Sequence, residues 1–324
     1  MTATAGSVVV DASIVAGVVG LTVTVLLVLV AIVARTALVR RQRRRTALAE
    51  VWSPLMLRSL RGDLGPVPRL KRRDRAYVLG LWVQTTDTLA GDGQDRLVRF
   101  ARHAQLGDVA LAALRSRNPV ARTTSAAVLG RMRDARGAAP LTALARSRNL
   151  FERSQAARAL VRIDAVAGLS LVVPLLAEWD DCHPATASKI LEDAPVDLAA
   201  PAVAAAAVAE RDPKVQARLV RILATLHHPA RLDAARRMLV VNDDAEVAAA
   251  CLQLVADHRE PVDADLVRGF LHHPAPFVRV QAVTALGRLR IPGDEWRIVG
   301  MLSDDDWWVR YRAARALLLS LIHI

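Results

Sequence analysis

A chain of 324 residues with 53% apolar composition, only four Phe and two Tyr, and a formal charge of +12 is long enough for one large core or for an extended array that has no single core. Ala, Leu, Val and Arg dominate, which is a helix-forming vocabulary. The two cysteines, Cys182 and Cys251, lie far apart with no CxxC spacing, which suggests neither a disulfide framework nor a zinc knuckle and fits a reducing compartment.

The first element in chain order is "SIVAGVVGLTVTVLLVLVAIVA", residues 13–34, which holds no charge. It meets the length of about 20 apolar residues that a bilayer core requires, so it predicts a transmembrane helix. A cleaved signal peptide would carry a positive n-region and a shorter apolar core, whereas Asp11 is the only charge ahead of this span. Residues 1–12 are then an extracytoplasmic tail.

Residues 35–75 form a basic juxtamembrane segment, with 13 Lys or Arg against the three acids Glu50, Asp63 and Asp74. From residue 76 onward the balance is 31 basic to 28 acidic, so the excess charge sits beside the span and not over a folded domain. Basic residues flanking a span stay on the cytoplasmic side. Arg35, Arg40, Arg41, Arg43, Arg44 and Arg45 therefore predict an inner-membrane protein, single-pass, with its N-terminus outside and the remainder cytoplasmic. The same arginines could also attract anionic head groups, although a topology determinant alone accounts for them.

The Gly and Pro residues of 53–75 break a continuous helix there, and 76–115 reads as two or three lead-in helices. Residues 116–324 then repeat. Taking Arg122, Arg153, Gln216, Ala248, Arg279 and Arg310 as equivalent, the separations are 31, 63, 32, 31 and 31. A degenerate unit around Ala185 fills the long gap, so seven units of about 31 residues emerge. Sets such as Val278, Ala282, Ala285 and Leu286, or Val309, Ala313, Ala316 and Leu317, each make one apolar stripe on a helix. A shorter helix precedes each, as in 138–147, and paired amphipathic helices that cannot bury their faces alone stack into a solenoid. Phe151, Phe277 and Trp308 share a position and are expected to plug the space between paired helices. "DDD", residues 304–306, reads as the turn and N-cap of the last helix.

The pattern DPxVRxxAAxAL resembles the HEAT repeat, in the short PBS-lyase-like form of about 31 residues, over roughly residues 116–319. The resemblance implies an all-α fold, an α-solenoid of HEAT-like helix pairs, preceded here by the single transmembrane helix. In that family an Asp before the second helix often pairs with an Arg inside it. Asp304 and Arg310 match, but the other units carry Ser116, Ser147, Glu210, Asn242 and His273 in place of that Asp, so the ladder is expected to be incomplete. The chain ends on the apolar stretch "SLIHI", residues 320–324, without the polar cap that solenoids need, which reads as a C-terminal truncation.

Chemistry is sparse. The doublets His227–His228 and His272–His273, and His183, each precede a proline where other units have Asp-Pro or Asn-Pro, so turn substitution explains them better than a metal site. Some HEAT-like hydroxylases hold iron with His-Glu dipeptides, and no such dipeptide occurs here. There is no GxxxxGK[ST], GxSxG or HExxH, and "GDGQD", residues 91–95, lacks the later Glu and alternating ligands of a calcium loop. No enzyme activity, cofactor or metal is expected. Arg131, Arg158, Arg162, Arg218, Arg221, Arg288, Arg312 and Arg315 remain on the second helices once the apolar stripe is removed, and stacking would gather them into a band for an anionic protein partner. An ordinary solvated face explains the same residues.

The function expected is a membrane-anchored cytoplasmic scaffold for protein–protein interaction at the inner leaflet. Proteins resembling this one are met beside membrane glycosyltransferases in bacteria, which makes such an enzyme a partner class. The alternatives are nucleic-acid binding, disfavoured by the scarcity of aromatics on the Arg-bearing face, and a HEAT-type lyase or metal-dependent enzyme.

Overall fold

Segments rich in Ala, Leu and Arg, several of them opened by a side-chain acceptor such as Asn118, Asn149 or Asp212, fold as a series of helices in the computed structural model. It describes residues 3–321, with side chains for 21 and 24–318. No strand occurs among the described residues. The chain divides into two compact units, Met1–Ala104 and Gln105–Ile324.

The first unit is organised on α1 (Ala3–Ser59), which continues through Pro54 where a break was expected. It ends at a turn containing Gly62, whose φ of 88° suits glycine. Residues 64–71 are non-helical and lead to α2 (Arg75–Asp87) and α3 (Asp92–His103), with Gly91 at φ 59° forming the turn between them. "GDGQD" is thus a turn and the first turn of α3. The C-terminal part of α1 buries Trp52 and Met56, and Trp52 meets Phe100 of α3 edge-on at 6.5 Å. Trp82 Nε1 donates to the Leu97 carbonyl at 3.1 Å, and Arg44 makes a two-pronged pair with Asp74 at 2.6 and 2.8 Å. The predicted span, 13–34, lies within α1. Among the described residues no helix is long and apolar enough to cross a membrane, and the side chains of 13–20, 22 and 23 lie outside the described set.

Among the described residues the second unit holds seven consecutive helix pairs: α4 (Leu106–Ala113) with α5 (Pro119–Met132), α6 (Ala138–Leu144) with α7 (Leu150–Ile163), α8 (Ala165–Glu178) with α9 (Pro184–Leu191), α10 (Val196–Ala209) with α11 (Pro213–Ala224), α12 (Ala230–Val241) with α13 (Ala245–His258), α14 (Ala264–Arg268) with α15 (Pro276–Leu289), and α16 (Glu295–Gly300) with α17 (Trp307–Leu321). The second helices α5, α7, α9, α11, α13, α15 and α17 each lie against the next, forming one continuous layer. First helices α8, α10, α12 and α14 follow one another beside it. The array is a helical-pair solenoid, and the degenerate unit is the third, where α9 has only 8 residues and α8 packs on α7 and α11.

The apolar stripe explains the stacking. Ala126, Leu129, Ala157, Leu160, Val220, Leu223, Leu252, Val255, Val283 and Leu286 recur at fixed repeat positions and are all buried. Small residues set the spacing: a Cβ on Gly130 would meet the Ala159 Cα at 2.7 Å, and one on Gly287 would meet the Ala316 Cβ at 2.5 Å. Helices meet there closer than any side chain allows. The "SLIHI" tail falls partly in α17; residues 322–324 lie outside the described residues.

Candidate functional surface

Among the described residues, five second helices, α5, α7, α11, α13 and α17, begin at a turn held twice, whereas α9 shows only the second acceptor and α15, with Ala275 at its N-cap, only the first. The first acceptor binds the backbone N–H two residues on: Ser116, Ser147, Glu210, Asn242, His273 and Asp304 accept from Asn118, Asn149, Asp212, Asp244, Ala275 and Asp306 at 2.9–3.2 Å. The second acceptor then caps the helix: Asn118, Asn149, His183, Asp212, Asp244 and Asp306 accept from Val120, Phe151, Ala185, Lys214, Glu246 and Trp308 at 2.8–3.2 Å. The residues that broke the Asp pattern in sequence are therefore all acceptors, chemically equivalent though different by letter. Histidine does this through Nδ1 at His183 and His273, and His228 Nδ1 accepts from the Ala230 N–H in the same way ahead of α12.

The ladder differs from its expected form. Arg310 does not pair with the Asp304 carboxylate; its guanidinium donates to the Asp304 and Asp305 carbonyls at 2.7 and 2.9 Å. Asp304 instead receives Arg279 of the preceding unit at 2.7 and 2.8 Å. Six residues of turn place the Arg over its own carbonyls, so the side-chain pair forms between units. The same link joins Arg122 to Glu152, which also accepts from Ser147 Oγ at 2.8 Å, Arg153 to Asp181, and Gln216 to Asn242 at 2.5 Å. Arg279 holds the Asp304 carboxyl below the usual carboxylate range through this hydrogen bond, against the opposing effect of burial.

Most of the predicted arginine band is engaged by the fold. Arg158 and Arg162 share the Asp193 carboxylate at 2.7 and 2.6 Å. Arg218 holds the Ala177 carbonyl at 2.6 Å and Asp180 at 2.5 Å, Arg288 pairs with Asp257, and Arg221 faces Glu246 at 3.8 Å. Arg131 donates to the Ala127 carbonyl at 3.2 Å. Arg312 has its Nε buried without a hydrogen-bond partner, and Arg315 is exposed. Five of these eight guanidiniums thus meet four carboxylates, a signal that sequence could not give because the acids lie 25 to 38 positions away. Of the membrane-proximal set, Arg44 is withdrawn by Asp74 and Arg45 sits 5.8 Å from the Tyr77 ring centre, while Arg35, Arg40, Arg41 and Arg43 are exposed.

The aromatic plugs are not plugs. Phe151 is 63% exposed, Phe277 48% and Trp308 58%. They occupy the first turn of the second helix, and the apolar stripe that meets the neighbouring unit starts one position later, at residues such as Val278 and Val309, which are fully buried. A cavity of about 390 Å³ lies beside α12, lined by His227, His228, Arg231, Asp233, Arg236, His258 and Glu260 among others. Arg231 donates to His258 Nδ1 at 3.2 Å, and the other ring nitrogen meets Glu260 at 2.9 Å. Arg236 binds Glu260 and the buried Asp263 and holds the Glu260 carboxyl below its ordinary value by hydrogen bonding. These side chains satisfy one another, and among the described residues no group of three or more His, Cys, Asp or Glu is placed to hold a metal ion.

No protein-family model and no curated protein matches the chain. Among solved structures, an engineered protein matches 77% of this chain and 75% of its own at 19% identity and a TM-score of 0.35. Human deoxyhypusine hydroxylase in complex with glycerol matches 77% of this chain and 98% of its own at 14% identity and a TM-score of 0.32. The CpcE–CpcF complex of phycocyanin lyase from Nostoc sp. matches 81% and 98% at 15% identity and a TM-score of 0.28. The assignment as a helical-pair solenoid therefore stands on the stacking of α4 to α17 itself.

Proposed function

We propose that the protein is a membrane-tethered scaffold, with its N-terminus outside and its helical-repeat unit in the cytoplasm, that holds a partner protein at the inner leaflet. One observation carries the tether: Val25, Leu26, Leu27, Val28, Leu29, Val30, Ile32 and Val33 are each at least half exposed around the shaft of α1, and exposed arginines follow directly. Full burial of such side chains is worth roughly 1.5–3 kcal/mol each, so leaving the shaft in water costs on the order of 10 kcal/mol relative to lipid. The basic run then sets orientation.

The partner surface we assign to the second-helix layer, with Arg221, which stands 3.8 Å from Glu246, Arg312, whose Nε has no hydrogen-bond partner, and the exposed Arg315 as its contact residues. Drawing the other arginines into ion pairs leaves modest positive charge, suited to an acidic protein face and poorly suited to a phosphate backbone. Membrane glycosyltransferases belong among the candidates to be captured.

Carbonate extraction and vesicle flotation test the tether: the intact chain should remain with membranes, and Leu26→Arg with Leu29→Arg should release it. Recovery of the unmodified chain in the soluble fraction would end this reading. A photo-crosslinker at Arg221 or Arg315, used in membranes, should capture a discrete protein.

A further inference from the structure

Charge is spread unevenly along the repeats. Lys189 is the one Lys or Arg between Arg162 and Arg211, a stretch that holds both α8 and α10. Glu178 is the single charge in α8 and Asp197 the single charge in α10, whereas α12 carries Arg231, Asp233, Arg236 and Arg237. The inner sides of α8 and α10 are buried through residues such as Leu169, Val172, Val203 and Ala207. Their outward sides are apolar as well: Val166, Leu171 and Pro174 of α8 and Leu198, Pro201 and Val208 of α10 are exposed. A helix that is apolar all round is ordinarily covered on all sides. Rolling α8 to hide this face is blocked, because a Cβ on Gly168 would already meet the Leu160 carbonyl oxygen of α7 at 2.6 Å.

The helices α8 and α10 pack on each other, so their outward sides join into one aliphatic face. Its composition selects the partner. Neither helix holds a Lys or Arg to meet an anionic head group or an acidic protein, and neither holds a Trp or Tyr to seat at a head-group boundary. The carboxylates lie at the rim: Asp197 in the first turn of α10 with His228 at 3.5 Å, and Glu178 in the last turn of α8. Asp164 caps α8 and Glu210 binds the turn ahead of α11, so the middle of the face offers nothing to a basic partner either. An uncharged face does not repel its own copy, and a two-fold contact sets the same patch against itself. Interfaces between identical subunits are also the more apolar kind. Two such faces together cover on the order of 1,000 Å², the size at which specific association begins.

We propose that the outward face of α8 and α10 binds a second copy of the chain. This pairing uses the first-helix layer and does not depend on insertion of α1 or on the partner surface assigned to the second helices.

The test uses two differently tagged versions of the full chain, co-expressed, with a photo-crosslinker at Leu171 of one and irradiation in membranes. The expected product carries both tags. Leu198→Glu with Val208→Glu should cut its yield about tenfold or more, because unpaired carboxylates would be buried at the contact. The unfolding midpoint should hold, since both positions are exposed in the single chain. Raising the salt concentration should leave the yield intact, as no ion pair crosses the face. Absence of the doubly tagged product overturns the proposal. A doubly tagged product that survives Leu198→Glu with Val208→Glu also overturns it, and places the pairing at another surface such as α1. An adduct with a different protein or with lipid overturns it too, and identifies that occupant instead.

Discussion

Replacing Gly287 by Ala probes the stacking distance between α15 and α17. The added methyl would sit 2.5 Å from the Ala316 Cβ and 3.3 Å from its Cα, so the helices must separate by about 1 Å to restore ordinary packing. Overpacking of this kind costs about 1–3 kcal/mol, against about 1 kcal/mol returned by replacing a helical glycine, for a net loss of about 1 kcal/mol. Moving the methyl across the contact, in Gly287→Ala with Ala316→Gly, leaves only the 3.3 Å approach. The double variant should therefore be more stable than the sum of its parts predicts, with a coupling of about 1–2 kcal/mol. Amide hydrogen exchange in α15 and α17 is the assay, because the outer pair of a solenoid opens separately from the rest. Gly80→Ala, where nothing lies within 4 Å, is the control and should gain stability. An additive double variant, or unchanged α17 exchange in Gly287→Ala, would refute the close approach.

The inter-unit ladder is acid-sensitive in a defined direction. The hydrogen bond from Arg279 holds the folded Asp304 carboxyl below its ordinary value, so its contribution is fully present above the ordinary carboxylate range and is lost as pH falls through the folded value; protease cleavage near α17 should rise on acidification below that range, and Asp304→Asn should remove this response. Asp193→Asn leaves Arg158 and Arg162 without their shared carboxylate, and should tighten capture of an acidic partner while lowering the unfolding midpoint. Arg133, Arg259 and Arg290 end α5, α13 and α15 in left-handed backbone, so Arg290→Gly should stabilise by about 1 kcal/mol in urea unfolding. Burial pushes the Cys251 thiol up to about 12, so a thiol reagent at neutral pH should label it only after unfolding.

Helix pairs and their period were legible because the stripe of Ala126, Ala157, Val220, Leu252 and Val283 repeats in the sequence itself. The turn chemistry was hidden because Ser116, Glu210, Asn242 and His273 share an acceptor function and no letter. Ion pairing of Arg158 with Asp193 or Arg218 with Asp180 depends on which units become neighbours, which periodicity indicates only in outline. Phe151, Phe277 and Trp308 were misread because an aromatic at helical spacing suggests core, whereas one residue of phase separates them from buried Val278 and Val309. The tether was read from an uncharged stretch whose first half lies outside the described side chains.

Because each second helix carries at least one side-chain acceptor of its own at the turn, and α5, α7, α11, α13 and α17 carry two, its first residues are satisfied before any neighbour arrives. A nascent chain can therefore set each hairpin as it leaves the ribosome and add it to those already formed, with no contact needing to wait for a distant segment. Synthesis order and assembly order coincide, and a pause or an amino-acid change in one pair should delay only what is built upon it.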